Sequence, residues 1–202
     1  MGDDNVTGDQ ALIYKPVHMG DDEEFYYPLI DRSSRSDTNI DLNHHEIHEG
    51  DHFFVAEYIT LGNVAVANFV LEVGAKDVHF VFAVWSDLAG FIVQTYEAIT
   101  ASADGTVIPI LNNCRPLKSI VSLATLRQDP ATIGSIVGLV RLRNSKVGSG
   151  GNASSRVAGS LQRSDEVVLT KNTKYLLRIT NLSTSNNDIN YAMAWYEQNI
   201  AI

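Results

Sequence analysis

Four histidines fall within eleven residues, His44-His45-Glu46-Ile47-His48-Glu49-Gly50-Asp51-His52-Phe53-Phe54, and His48, Glu49 and His52 spell a literal H-E-x-x-H. In a zinc hydrolase that spacing works because one helical turn sets both imidazoles on one face, with the glutamate beside them to polarise a metal-bound water. Here the intervening pair is Gly50-Asp51, and the strand-like HFFVAEYI follows at once. Glycine costs about 1 kcal/mol against alanine inside a helix, and aspartate is also a poor interior residue. The residues therefore predict a turn at Gly50 and a strand from His52, which removes the shared face the chemistry needs. His44, His45, His48 and His52 stay as candidates for a structural or adventitious metal, since clustered imidazoles bind zinc readily. The expectation is nonetheless no catalytic residue, no metal and no cofactor, with the histidines making strand-edge and interface hydrogen bonds.

Other constellations are weaker. KVGSGGNASS is glycine-rich but lacks the Gly-Lys-Ser/Thr ending of a phosphate cradle, and no Gly-x-Ser-x-Gly elbow marks a nucleophile. Arg141, Arg143, Lys146, Arg156 and Arg163 form a modest basic cluster that could pair with a neighbour's carboxylates, although a solvated face is the commoner explanation. Trp85 and Trp195 sit in alternating patterns and read as core. Cys114 is the one cysteine, so no internal disulfide is available and a reducing site of synthesis is expected. Asn-x-Ser/Thr triplets at Asn5, Asn152 and Asn181 would matter only in a secreted glycoprotein.

The elements that must position these residues read as strands. VHFVFAVW places Val78, Phe80, Phe82 and Val84 on one face and apolar residues on the other too, as in a sandwich. FFVAEYI, NFVLEV, FIVQTYEA, TVIPIL, SIVSLATL and SIVGLVRLR behave similarly, and turn clusters such as Ala103-Asp104-Gly105 separate several of them. Near the end, Tyr175, Leu177 and Ile179 share a face, NLSTSNND turns, and Ile189, Tyr191, Met193 and Trp195 share another, which predicts a hairpin. About eight to ten short strands with no long helical period favour an all-β fold, an antiparallel β-sandwich of jelly-roll type over residues 40–202. Phe80, Phe82, Leu177, Ile179, Tyr191 and Trp195 are its expected core.

Residues 1–39 differ. Acidic and polar spacers alternate with ALIYKPV and FYYPLI, the pattern of an extended N-terminal arm. Its Leu12, Ile13, Tyr14, Phe25, Tyr26 and Tyr27 are the expected anchors in a partner's surface. The chain of 202 residues is long enough for a real core, and 19% charged against 45% hydrophobic residues is a globular balance. A net charge of −9 argues against non-specific binding to nucleic acid or anionic membrane. MGDDNVTGDQ has no basic stretch followed by an apolar run, so neither export signal nor membrane anchor is expected.

The segment LNHHEIHEGDHFFVAEY, together with SDEVVLTKNTKYLLRITNLSTSNNDINYAMAWYEQ, resembles a family of tailed-bacteriophage virion proteins described as head decoration, cement or structural. The middle is similar as well, at residues 107–115 and in the glycine loop 148–151, with Leu111, Cys114 and Gln198 departing from the pattern. The likeness spans about residues 29–202. It implies a protein without an active site, made in the host cytoplasm and placed on the capsid exterior of the virion. Its implied partners are the major capsid protein and itself, as a homotrimer at three-fold or quasi-three-fold positions. The second function to weigh is a receptor- or glycan-binding module of a head or tail fibre, because some jelly rolls stack sugars on aromatics.

Overall fold

The computed structural model of the chain describes residues 47–86, 89–148 and 157–198, together with four two-residue strands ahead of them. The chain divides into two compact units, Met1–His45 and Glu46–Ile202. In the first, β1 (Val17–His18) pairs antiparallel with β2 (Glu24–Phe25), and β3 (Leu29–Ile30) with β4 (Asp37–Thr38). Phe25 therefore falls in a described strand. Leu12, Ile13, Tyr14, Tyr26 and Tyr27 lie outside the described residues, as do His44 and His45.

The second unit is two antiparallel six-stranded sheets packed as a sandwich. In chain order its strands are β5 (His52–Leu61), β6 (Val66–Glu72), β7 (Asp77–Ser86), β8 (Phe91–Tyr96), β9 (Thr106–Ile108) and β10 (Leu111–Asn112). There follow β11 (Thr125–Gln128), β12 (Arg141–Val147), β13 (Val157–Ser160), β14 (Val167–Leu169), β15 (Lys174–Asn181) and β16 (Asn187–Gln198). The first sheet runs β10-β5-β16-β7-β13, with β14 on the same edge of β7, and the second runs β12-β8-β15-β6-β11-β9. Helix among the described residues is limited to a turn at residues 47–49 and two three-residue 3-10 turns, and no described helix is long and apolar enough to cross a membrane.

Period-two alternation explains the core. Phe80, Phe82, Leu177, Ile179, Tyr191 and Trp195, the expected core set, are all buried in one cluster between the sheets. Phe69 and Tyr191 meet across it with ring centroids 4.6 Å apart, and Trp195 lies 6.4 Å from both Phe53 and Phe80. Burial, with the Glu57 carboxylate adding to it, pushes the Tyr191 phenol up to about 12.

Several expected elements differ. β15 and β16 are not a hairpin: they belong to opposite sheets, and residues 182–186 arch over the end of the sandwich. Each strand turns one face to the core, and these faces meet across it rather than side by side. Asn181 and Asn187, both fully buried, hold the arch. The Asn181 Nδ2 donates to the carbonyls of Leu61, Gly62 and Ser185, while its Oδ1 accepts from the Ser183 N–H at 2.9 Å and the Asn187 Nδ2 at 3.3 Å. The triplet at Asn181 is thus a structural staple. TVIPIL breaks at Pro109, which has no N–H for a ladder, and its halves β9 and β10 go to different sheets. Of SIVSLATL only the end enters β11, and of SIVGLVRLR only the end enters β12. Trp195 is core, but Trp85 is half-buried on the outer side of the first sheet, because residues 79, 81, 83 and 85 of β7 alternate away from the core.

Candidate functional site

The histidine motif straddles a corner. Helix ends at Glu49, Gly50 adopts a left-handed φ of +84°, and β5 opens at His52. A Cβ on Gly50 would sit 2.9 Å from Ile120 Cδ1, the movable end of a side chain, so it is the left-handed backbone that favours glycine there. His48 consequently lies in the helical turn and His52 in the strand, not on one helical face. Among the described residues no group of three or more His, Cys, Asp or Glu side chains is placed to hold a metal.

Residues 112–124 and the end of β16 converge on this corner. Asn112, buried in β10, donates from Nδ2 to the carbonyls of Gly50 (2.6 Å) and Ile120 (3.2 Å) and accepts the Cys114 N–H at 2.8 Å. Glu197, buried at the end of β16, is a carboxylate clamp. It accepts the Ser122 hydroxyl, the N–H groups of Leu123 and Ala124, and the Trp195 indole N–H. The Glu197 N–H in turn donates to the Asp51 carbonyl at 3.3 Å. A buried carboxylate is costly unless its lone pairs are filled, and here they are filled by one loop together with the Trp195 indole. The loop held in this way is the apolar stretch expected to be a strand: Val121 is 74% exposed, Leu123 50% and Ile120 38%.

The outer face of the first sheet is the second feature. Strand register places its side chains in cross-strand rows. Leu111, Phe54, Ala194 and Val81 form one row; Ala56, Ala192, Ala83 and Gly159 the next; Tyr58, Asn190, Trp85 and Val157 the third. Gly159 has φ +84° and a Cβ there would meet the Phe82 carbonyl at 2.3 Å, so no side chain stands at that end of the middle row. Polar rows flank these three. On one side His52, Tyr196, His79 and Val168 are neighbours, and on the other Thr60 donates to the Asp188 carboxylate. Tyr196 and His79 stack with centroids 4.3 Å apart. The His79 Nδ1 lies 2.6 Å from Glu166 and 2.9 Å from the Tyr196 hydroxyl, which also donates to Glu166 at 3.2 Å. The His52 Nδ1 and His79 Nε2 are buried without a hydrogen-bond partner. Burial holds His52 below its ordinary value. No motif announces the His79–Glu166–Tyr196 cluster: its members are brought together by β7, the turn before β14, and β16, and the sole signal is a histidine interrupting the outer alternation of VHFVFAVW.

Two spaces in the unit lack the features of a ligand site. One, of about 30 Å³, lies between the sheets and is lined mainly by core side chains such as Phe69, Phe82 and Met193. It has room for roughly two waters, far below the several hundred Å³ of a ligand pocket. The other, about 380 Å³, is a shallow cleft along residues 98–101 and 172–174. Lys174, its one charged side chain, is already engaged by the Ala101 carbonyl and Glu72. Of the basic residues, three lie on β12. Arg141 and Lys146 are exposed on β12, while the Arg143 guanidinium lies 5.2 Å from the Phe82 ring centroid. Arg156 and the Arg163 side chain are outside the described residues. No family model matches the chain, and no curated protein or solved structure is detectably similar to it.

Proposed function

We propose that this protein is a non-enzymatic decoration (cement) protein that binds the outer surface of an assembled phage head and stabilises it through subunit contacts. The observation that carries the reading is the fate of its signature residues. Gly50, Asn112 and Glu197 serve as backbone clamps, and what they hold out to solvent is the apolar loop of Ile120, Val121 and Leu123. In this reading the major capsid protein receives that loop, the arm of residues 1–39 reaches adjacent subunits through Leu12, Ile13, Tyr14, Phe25, Tyr26 and Tyr27, and three copies associate so that weak contacts add up. Nucleic acid and membrane are not partners.

The strand order supports a jelly roll. Numbering β5, β6, β7, β8, β12, β13 with β14, β15 and β16 one to eight, the ladders pair one with eight, two with seven, three with six and four with five. Nested pairing of this kind is what a single antiparallel ribbon leaves when it is wound into two sheets. The second reading, a glycan-binding module, draws on the row in which Asn190 stands between exposed Tyr58 and half-buried Trp85.

The test is cosedimentation of the full chain with expanded phage heads lacking it. Binding to heads, with greater resistance of those heads to heat, is expected, as is loss of both in a V121D/L123D variant that still folds. Absence of binding to heads, alongside retention on immobilised glycans, would replace the first reading with the second.

A further inference from the structure

We propose that the outer face of the first sheet is the surface on which a neighbouring copy of this chain docks. The inference rests on the self-association in the reading above, and adds to it the surface that mediates it. The two sheets differ in what covers them. The outer side of the second carries Val70, Tyr96 and Leu176, buried with Ile99 beneath Ile133, Ile136 and Leu139 of the chain's own loop. Among the described residues no such cover lies over the three apolar rows of the first sheet, where Tyr58 is 66% exposed and Val157 54%.

Size, shape and charge select the occupant. Three rows about 7 Å apart across four strand spacings of about 4.8 Å make an apolar patch of roughly 20 by 20 Å. That is the scale at which an exposed patch is functional. Polar side chains at its end, among them Thr60 and Asp188, give the patch the polar rim of an interface. The middle row of alanines lets another backbone approach closely. The three rows carry no Lys, Arg, Asp or Glu in a chain of net charge −9, so two like-charged copies can meet here without opposing carboxylates. The patch also runs off the sheet. β10 pairs with β5 only at Phe53 and Phe54, and residues 55–61 of β5 have no partner strand on that edge among the described residues. The edge of one copy can therefore abut the face of the next, a heterologous contact that gives a ring where the rotation between copies closes.

Sedimentation of the full chain at micromolar concentration, without heads, tests this. Wild type should be a trimer; A56E and Y58K, both at exposed positions, should weaken association at least ten-fold with unchanged near-ultraviolet circular dichroism. V137E, on the loop over the second sheet, should sediment as wild type does. Trimers in A56E and Y58K would overturn the assignment of this face while leaving self-association intact. A monomeric wild type would overturn the proposal, and loss of head binding by monomeric A56E would then give the face to the shell.

Discussion

The outer faces of the two sheets start from similar strands and end differently. On the second sheet, Leu176 is fully buried because residues 129–140 fold back over it. That loop is tied down by reciprocal bonds between Asp129 and Asn68, by the Gly134 N–H to the Thr100 carbonyl, and by a bridge between Ala101 and Ile133. On the first sheet, Phe54, Val81 and Trp85 occupy equivalent outward positions and remain half-buried. A strand that is apolar on both sides states only that both sides need cover. Where the cover comes from is decided by whether a nearby loop is long enough and has polar groups to pin it.

The comparison can be broken at its strongest point by Leu176→Ala. Loss of a fully buried leucine side chain should cost about 3 kcal/mol in denaturant unfolding, whereas Val81→Ala should cost under about 1 kcal/mol. Equal losses would mean that the first sheet is covered as thoroughly as the second. A smaller effect should follow from acid. His52 has a folded pKa below its ordinary 6.5, so the folded state binds fewer protons than the unfolded. Its contribution is complete above 6.5 and is lost as pH falls through that value toward the folded pKa. The thermal midpoint should accordingly be lower at pH 5 than at pH 7, and His52→Gln should flatten that difference; an identical slope in the variant would dissociate the histidine from it. The smallest effect belongs to Tyr58→Ser, which should change stability by no more than about 0.5 kcal/mol. A larger loss would show that Tyr58 already packs against something within one copy.

Strand identity was legible because burial on a pleated sheet imposes a period of two, as in Tyr175, Leu177 and Ile179. Strand partnership was not. The same alternation serves a hairpin and an arch, and what distinguishes them here is the burial of Asn181 and Asn187, polar residues that read as ordinary turn chemistry. The segment at residues 119–124 misled for the opposite reason: Ile120, Val121 and Leu123 are exposed on a clamped loop, and composition alone carries no sign of which way they face. The turn at Gly50 was readable because a glycine between polar residues has a local cause. The His79–Glu166–Tyr196 cluster joins residues 87 positions apart, a separation at which local pattern has no reach.

The nesting of the strands has a consequence for how the protein is made. β16, the last described strand, lies between β5 and β7, the first and third long ones. While a ribosome is still short of Asn187, β5 and β7 have emerged with edges whose native partner, the strand between them, does not yet exist. The first sheet must therefore close late, over long sequence separations, which places folding on the slow millisecond-to-second scale of non-local β topologies. In that interval the exposed edges are open to strands of other nascent chains, and Glu57, a charge on the outermost long strand of that sheet, is well placed to discourage them.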